Sequence, residues 1–460
     1  MMKMIDPFRV VTSLVAATAI VLGGADVLGA EVAGQVSFTK QVVPILRVNC
    51  NACHKPDKTK GDLDLTTQAA ILKGGKHGAV IVPGKPEESR LMKMIVGDPP
   101  EMPDDGDPLK VGEVELVKQW IAQGAKDDTP ADDNTPVAAP VYQIAPVITS
   151  MKFSPDGQWL AVAGYHEVLL HKADGSGLVH RLVGRAERVE GIAFSPDGKL
   201  LGVCGGSPAE FGQVQFWDPA EGKLIKSYRL GYDSLYGISF SPDGKKVAFG
   251  AADKAVRTME IETGKIGLDF RAHADWTFGT AFTLDGKQLV SAGRDMALKL
   301  IDLENQRFVD DINNPKDKIV SFARHPKEEQ VVYGGDLGGV RLYKISDNQQ
   351  RTAGRNDTNM IREFERQSGP AHAVAFSPDG MMLAVGVTGE VKVYNVGDGA
   401  LKATLPGFDG PVYAITWKPD GTVIAAAGFD GRVRLYNAAD GKAVKEFVPV
   451  PIGYAVATQK

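Results

Sequence analysis

The pentapeptide Phe153-Ser154-Pro155-Asp156-Gly157 decides the fold of most of this chain, because it recurs at regular intervals. Three further copies are identical and begin at Phe194, Phe240 and Phe376. Three altered copies are Phe282-Thr283-Leu284-Asp285-Gly286, Phe322-Ala323-Arg324-His325-Pro326 and Trp417-Lys418-Pro419-Asp420-Gly421. Each copy follows an alternating strand and makes a tight turn into an apolar strand. The copies start 40 to 54 residues apart, which is the period of a β-propeller.

Residues 141–460 are therefore predicted to form an all-β propeller. A four-stranded unit of this kind cannot bury both of its faces alone, so the units must stack around an axis. In the turn motif and in strands such as Val214 to Trp217 and Val433 to Tyr436, the region resembles the WD-repeat family. The resemblance implies a WD-repeat propeller, and the seven copies of the motif predict seven blades.

A second motif, Cys50-Asn51-Ala52-Cys53-His54, lies ahead of the propeller. Two thiols at this spacing lie on one edge of a helical turn, where each can add across a haem vinyl group, and the next residue is the proximal iron ligand. Half of a zinc site or a redox dithiol is the alternative, but zinc needs a second ligand pair. The only other cysteine is Cys204, in an apolar run that predicts an inert core thiol. The motif therefore predicts one covalent haem c at Cys50 and Cys53, with His54 on the iron.

One amphipathic helix is predicted before this motif and another after it. The first carries an apolar stripe at helical spacing, and the second ends at Gly124. The apolar residues of the two helices are Phe38, Val42, Ile45 and Leu46 in the first, and Val114, Leu116, Val117, Trp120 and Ile121 in the second. We expect the two helices to pack across each other over a haem edge.

Residues 31–126 resemble the planctomycete-type cytochrome c domain. The resemblance is carried by CNACH, Lys60-Gly61-Asp62-Leu63-Asp64-Leu65, Leu72-Lys73-Gly74-Gly75, Ile81-Val82-Pro83-Gly84-Lys85-Pro86-Glu87-Glu88-Ser89, Met102-Pro103 and Trp120-Ile121-Ala122-Gln123-Gly124-Ala125. It implies a small all-α domain. The usual Met-Pro-Pro of the family is Met102-Pro103-Asp104 here.

The sixth iron ligand has four candidates, Met102, Met92, Met94 and His77. Met92 and Met94 stand in an apolar helical stretch, where methionine is more often core filling than a ligand. His77 follows a polar, glycine-containing loop. The family resemblance puts the distal methionine at Met102, so Met102 is the expected ligand.

The N-terminal residues 1–30 have the layout of a secretory signal peptide, with Lys3 and Arg9 before an apolar run from Val10 to Leu22. An uncleaved membrane anchor is the competing interpretation, and without it no stable membrane span is expected. Both interpretations predict a periplasmic or otherwise exported protein. Residues 127–140 are rich in Asp and Pro and predict a linker between the two domains.

Several polar residues of the propeller resemble structural networks rather than active sites. His273, Ser291 and Asp295 match the positions of a WD-repeat hydrogen-bond network, with Leu300 where the family usually has Trp. Three further histidines, His166, His171 and His180, are predicted to be surface or rim residues. The sequence thus predicts no hydrolytic or second-cofactor centre in the propeller.

The net charge of −5 and the absence of a basic, aromatic-containing run argue against a nucleic-acid partner. The leading hypothesis is an exported haem c electron-transfer protein whose propeller is a docking scaffold for redox partners and other envelope proteins. One alternative is a redox enzyme with a substrate or second-cofactor site on the propeller, fed by the haem. The other is a redox-sensing envelope scaffold. An electron carrier is favoured over a catalyst.

Overall fold

A computed structural model describes residues 35–55, 58–104, 106–128, 138–271, 273–314, 316–346 and 357–453. The signal peptide predicted for residues 1–30 lies outside the described residues. The linker predicted for residues 127–140 is described only at its two ends. Within the described ranges, no helix has the length and apolar character needed to cross a bilayer.

The N-terminal region is a small helical module. A π-helical turn, Phe38–Val42, leads into α1 (Val43–Asn49), and Pro44 is tolerated because it stands in the first turn of α1. The remaining helices are α2 (Gln68–Lys73), α3 (Arg90–Ile95) and α4 (Val111–Ala122), with 3₁₀ turns at Lys60–Asp62 and Pro86–Glu88. The only strands of the module among its described residues are the two-residue β1 (His54–Lys55) and β2 (Lys58–Thr59).

The first and last helices of the module pack against each other, as their apolar patterns predict. The ring of Phe38 stacks on Trp120 with centroids 5.1 Å apart, and Trp120 is only 1% exposed. The indole N–H of Trp120 donates to the carbonyl oxygen of Lys126 at 2.9 Å. Near the N-terminal turn, the backbone N–H of Thr39 donates to the carboxylate of Asp128 at 2.8 Å. The two ends of the module are therefore tied together by one aromatic pair and one capping carboxylate.

The rest of the described chain is built from antiparallel sheets. The first sheet has seven strands, β3 (Met151–Phe153), β4 (Trp159–Ala163), β5 (Tyr165–Lys172), β6 (Leu178–Phe194), β7 (Leu201–Ser207), β8 (Phe211–Asp218) and β9 (Lys223–Leu230). Two four-stranded sheets follow, formed by β10 (Leu235–Phe240), β11 (Lys246–Ala251), β12 (Val256–Glu260) and β13 (Ile266–Phe270), and by β14 (Thr277–Phe282), β15 (Gln288–Gly293), β16 (Leu298–Asp302) and β17 (Arg307–Asp311).

Two further sheets complete the described part of the chain. The first has four strands, β18 (Ile319–Arg324), β19 (Gln330–Gly335), β20 (Val340–Lys344) and β21 (Met360–Glu363). The last sheet has seven strands, β22 (Ala373–Phe376), β23 (Met382–Gly386), β24 (Thr388–Asn395), β25 (Leu401–Trp417), β26 (Val423–Gly428), β27 (Val433–Asn437) and β28 (Ala443–Phe447).

Each seven-stranded sheet consists of two four-stranded units that share a long strand. The shared strands, β6 and β25, have 17 residues each. The first half of β6 pairs with β5 and its second half with β7, and β25 pairs in the same way with β24 and β26. The first and last sheets pack in one apolar cluster that includes Met151 and Leu435. The WD-propeller class is confirmed, and the count of seven blades stays a prediction.

The turn motif is placed as predicted in six of its seven copies. Phe153 pairs with Leu160, and the corresponding residue of five other copies pairs in the same register with the strand that follows. In the fifth copy the predicted alignment is wrong by two residues, because Arg324, not Phe322, holds this position, opposite Val331. The next residue, His325, replaces the serine of the motif, and its Nδ1 accepts the N–H of Glu328 at 2.9 Å.

Candidate haem site in the helical module

The CNACH motif forms one continuous turn at the end of α1. The N–H of Cys50 donates to the carbonyl of Leu46 at 2.8 Å, and the N–H groups of Cys53 and His54 both donate to the carbonyl of Cys50 at 3.1 Å. The two thiols therefore lie on the same turn, as their spacing predicts. The imidazole follows them directly at the start of β1.

These residues form one wall of a large cavity of about 1240 Å³, counted with the space open to solvent at its mouth. Most of the remaining wall is apolar and comes from loops and from α3. The lining residues include Asn49, Cys50, Ala52, Cys53, His54, Leu63, Leu65, Val80, Leu91, Met94, Ile95, Met102, Pro103 and Leu109. Two thiols and an imidazole on an apolar cavity of this size are the donor set that covalent haem requires.

Two polar groups of the motif are affected by burial. Burial raises the pKa of the Cys50 thiol to about 11. The Nδ1 atom of His54 is buried and makes no hydrogen bond to any described residue. A buried polar atom without a partner is uncommon in folded proteins, and a ligand beside the imidazole is one explanation for it. The residues present therefore fit the haem that the motif predicts.

Three of the four candidates for the sixth ligand line this cavity. Met102, Met94 and His77 are on its wall, whereas Met92 is buried in the apolar core of the module. Met94 lines the cavity together with Leu91 and Ile95 of the same helix, and these two also belong to the apolar core. That Met94 fills space rather than binding iron stays a prediction. The N–H of Met102 donates to the carbonyl of Met94 at 2.8 Å, so the two methionines are held side by side.

The family motifs between α1 and α3 position the cavity wall. The side chain of Ser89 is fully buried, accepts the N–H of Val82 at 2.8 Å and donates to the carbonyl of Lys85 at 2.9 Å. A side-chain carbon at Gly75 would lie 2.6 Å from the carbonyl oxygen of Gly61, so only glycine fits between these loops. In the sequence, Ser89 and Gly75 contributed only to the resemblance to a family. In the structure, both residues hold neighbouring loops together.

Charged residues stand at the rim of the cavity. Lys60 and Asp104 form an exposed ion pair at 3.5 Å, and both residues line the cavity. Arg90, at the start of α3, also lines the cavity and forms no ion pair with any of the described residues. The rim therefore presents a positive charge, that of Arg90, which no residue in the described ranges neutralises.

In the propeller, the predicted histidine network is present and is structural. The Nδ1 of His273 lies 2.8 Å from Asp295 and its Nε2 lies 2.8 Å from the hydroxyl of Ser291. Burial works to raise the pKa of Asp295, but hydrogen bonds from His273 and from the N–H of Ala274 outweigh it, and the pKa lies below its usual value. The side chain of His273 is fully buried, so this network pins a loop rather than meeting a substrate.

The other three histidines do not converge on one site. Nitrogen atoms of His166, His171 and His180 lie about 3 Å from the carbonyl oxygens of Arg185, Pro449 and Ala220, respectively. The prediction of a surface or rim position is wrong for His171, which is only 4% exposed, because β5 is covered by the last residues described in the chain. Cys204 is buried as predicted, and burial raises the pKa of its thiol.

Comparison with known families agrees with this division of the chain. The family described as Planctomycete cytochrome C matches residues 50–106, from the first cysteine to just beyond Met102. The family described as Nucleolar protein 10-like, N-terminal domain, a β-propeller, matches residues 186–457. The WD domain, G-beta repeat, matches residues 142–170.

Individual relatives are WD repeat-containing proteins that are similar to part of this chain. An uncharacterized WD repeat-containing protein of Synechocystis is 34% identical over 102 residues, which are 22% of this chain and 28% of the relative. The WD repeat-containing protein 26 homolog of Arabidopsis thaliana is 24% identical over 292 residues, 62% of this chain and 48% of the relative. WD repeat-containing protein 1 of Bos taurus is 31% identical over 138 residues, 30% of this chain and 22% of the relative. The chain thus spans less than half the length of these relatives.

Proposed function

This chain belongs to the Nucleolar protein 10-like β-propeller family and carries a planctomycete cytochrome c domain before the propeller, and we propose that it is an exported electron-transfer protein with one covalent haem c. The observation that carries the proposal is the cavity, whose wall includes both thiols and the imidazole of the CNACH turn and Met102 from a later loop. When bound, the haem supplies reversible one-electron chemistry.

The chain's own residues would hold the haem as follows. Cys50 and Cys53 would form the two thioether bonds, and His54 would bind the iron from the side of the CNACH turn. The apolar wall, with Leu65 and Ile95 among its residues, excludes water and so favours the less charged state of the iron. Arg90 and Lys60 would pair with the two carboxylates of the haem at the rim of the cavity.

Met102 is the distal ligand in this proposal. Its side chain lines the cavity and is only partly buried, and its loop is fixed by the hydrogen bond to Met94. A thioether opposite an imidazole gives a higher reduction potential than a second imidazole does. The comparison of Met102→Ala, Met94→Ala and His77→Ala tests the assignment. Only Met102→Ala should abolish the long-wavelength sulfur-to-iron band and lower the potential, and a change caused by His77→Ala alone would indicate bis-histidine ligation.

The propeller would be the docking scaffold for a redox partner and for other envelope proteins. The support is its architecture, because the closed ring of sheets gives a rigid frame whose loops are free to bind. The alternatives are a redox enzyme, in which the propeller holds a second centre, and a redox-sensing scaffold. Export to the periplasm or another compartment outside the cytoplasm is part of the proposal, and its support is the predicted attachment of haem c together with the leader-like residues 1–30.

An optical redox titration of the purified protein tests this function. An electron carrier should show the bands of one low-spin haem c and a single reversible one-electron transition. A second set of bands, or a spectral change when a candidate substrate is added without a redox mediator, would favour the enzyme instead. Affinity capture from the native envelope would then identify the redox partner.

A further inference from the structure

The innermost strands of three neighbouring units bring an acidic and several aromatic side chains together. Glu190 in β6, Tyr236 in β10 and Phe278 in β14 stand at the same position, four residues before the phenylalanine of each turn motif. All three side chains are half-buried, whereas the residue before each of them is buried. Equivalent positions on neighbouring inner strands lie side by side, so the three side chains share one surface.

Glycines explain how closely these strands approach. The residues that follow Glu190, Tyr236 and Phe278 are Gly191, Gly237 and Gly279. A side-chain carbon at Gly191 would lie 3.2 Å from the backbone nitrogen of Gly237, and one at Gly237 would overlap the backbone carbonyl of Phe278. The three strands therefore pack backbone against backbone, which no larger residue permits.

Three aromatic rings are in contact at this place. The ring of Tyr236 lies edge to face with Phe278, with centroids 5.8 Å apart, and stacks on Trp276 at 6.1 Å with an interplanar angle of 16°. Trp276 is 40% exposed, an unusual exposure for so large an apolar side chain. The guanidinium of Arg294 stands 5.6 Å from the centroid of the Trp276 ring, so a positive group can approach this indole.

Glu190 supplies negative charge beside the rings. Its carboxylate accepts no hydrogen bond from any residue in the described part of the chain, and the charge of Arg188, two residues earlier in the same strand, acts on it. Burial raises the pKa of Glu190, and Arg188 opposes that shift. Burial also raises the pKa of Tyr236, and the negative charges of Glu190 and Asp233 add to this shift. Asp233 is already engaged by the N–H of Ser234 at 2.7 Å, so Glu190 is the carboxylate left without a partner.

We propose that Glu190, Tyr236, Phe278 and Trp276 form a binding site for an organic cation, namely an alkylammonium group. The faces of aromatic rings attract a cation through their quadrupoles, and a carboxylate without a partner adds direct charge attraction. A metal ion would need more oxygen or nitrogen ligands than this one carboxylate provides. An anion would meet repulsion from Glu190. The site lies in the propeller and does not depend on the haem.

Calorimetric titration of the full-length holoprotein with n-butylammonium tests the proposal, with n-butanol as the neutral analogue of the same shape. The cation should bind at least about tenfold more tightly than the alcohol, the difference expected for one charge-assisted contact. A peptide with a single lysine between glycines distinguishes two sources of the alkylammonium group. Tighter binding of the peptide than of n-butylammonium indicates that the ligand is a protein side chain. Tighter binding of n-butylammonium indicates that the ligand is a free amine. Equal affinity for the cation and the alcohol, or no binding of any cation, overturns the proposal.

Variants locate the binding at the named residues. Glu190→Gln should lower the affinity for n-butylammonium about tenfold, whereas Glu187→Gln, an exposed glutamate of the same strand, should leave it unchanged. Trp276→Leu should lower the affinity severalfold through loss of the ring face. Binding of n-butylammonium that is unaffected by both Glu190→Gln and Trp276→Leu would contradict this site, whatever the melting temperatures of the variants.

Discussion

The helical module and the propeller bury their apolar residues in different ways. In the module, one apolar cluster, with Trp120 and Ile71 at its centre, lies beside a large open cavity. In the propeller, a similar cluster recurs between one unit and the next, and the last sheet packs on the first. In the proposed function the haem completes the core of the module, whereas the propeller is completed by repetition of its own units. Loss of haem should for this reason affect only the module.

The largest expected effect follows from removal of the haem attachment. The double variant Cys50→Ala, Cys53→Ala should lose the thermal transition of the module and keep that of the propeller, as measured by scanning calorimetry. A protein expressed without residues 1–130 should likewise be soluble and rich in strand by circular dichroism. Loss of both transitions in the double variant would show that the two regions do not fold independently.

Trp120→Ala in the module is expected to have the next largest effect. The variant loses a fully buried ring, its stacking on Phe38 and its hydrogen bond to Lys126, so the free energy of unfolding of the module should fall by about 3–5 kcal/mol. Val111→Ala in the same helix is the matched control, because Val111 is 88% exposed and its loss should cost less than about 0.5 kcal/mol. Both variants are measured by denaturant titration. Equal losses of unfolding free energy in the two variants would contradict this expectation.

His273→Ala should have a smaller effect, in the propeller alone. It leaves Asp295 and Ser291 without their buried partner, which should cost about 1–3 kcal/mol in the propeller transition. His180→Ala is the control, because His180 is half-exposed and makes a single hydrogen bond to a carbonyl. A change in the transition of the module would argue against the separation of the two regions.

Acid should weaken the propeller through its turns. In three turns, Asp197, Asp243 and Asp379 each accept a hydrogen bond from the hydroxyl of the serine two residues earlier and another from a backbone N–H. These hydrogen bonds lower the pKa of the three carboxyl groups. A carboxyl whose folded pKa is lowered stabilises the protein above its unfolded pKa, and this contribution is lost as the pH falls through the folded pKa. The propeller transition should thus be nearly constant from pH 7 to about 5 and fall below about pH 4. A triple Asp→Asn variant at these positions should show a flatter acid profile, and an unchanged profile would contradict the role of the turns.

Sequence and structure agree best where a pattern repeats. The strand period, the turn motif and the two amphipathic helices were all predictable, because each is a local pattern with a fixed spacing. The fifth turn was misplaced by two residues, because His325 stands where the motif has serine. Its ring accepts the N–H groups of Lys327 and Glu328, whereas Ser154 accepts the N–H five residues after it, and no composition rule shows this substitution.

The site was predictable only where its residues are adjacent in sequence. Cys50, Cys53 and His54 were found from one pentapeptide, whereas the position of Met94 on the cavity wall was not, because the face of a six-residue helix depends on what packs around it. The group around Glu190 could not be found from spacing alone. Its members come from different units, and only the close approach at Gly191 and Gly237 brings them together.

Acid–acetone extraction of the purified protein tests the central claim most directly. Because Cys50 and Cys53 are placed on one turn of the cavity wall, the haem should stay with the protein and give a pyridine haemochrome spectrum typical of two thioether bonds. The single variant Cys53→Ser should shift these bands to those of one thioether bond. Haem that partitions into the acetone, or a wild-type spectrum from Cys53→Ser, would contradict covalent attachment at this site.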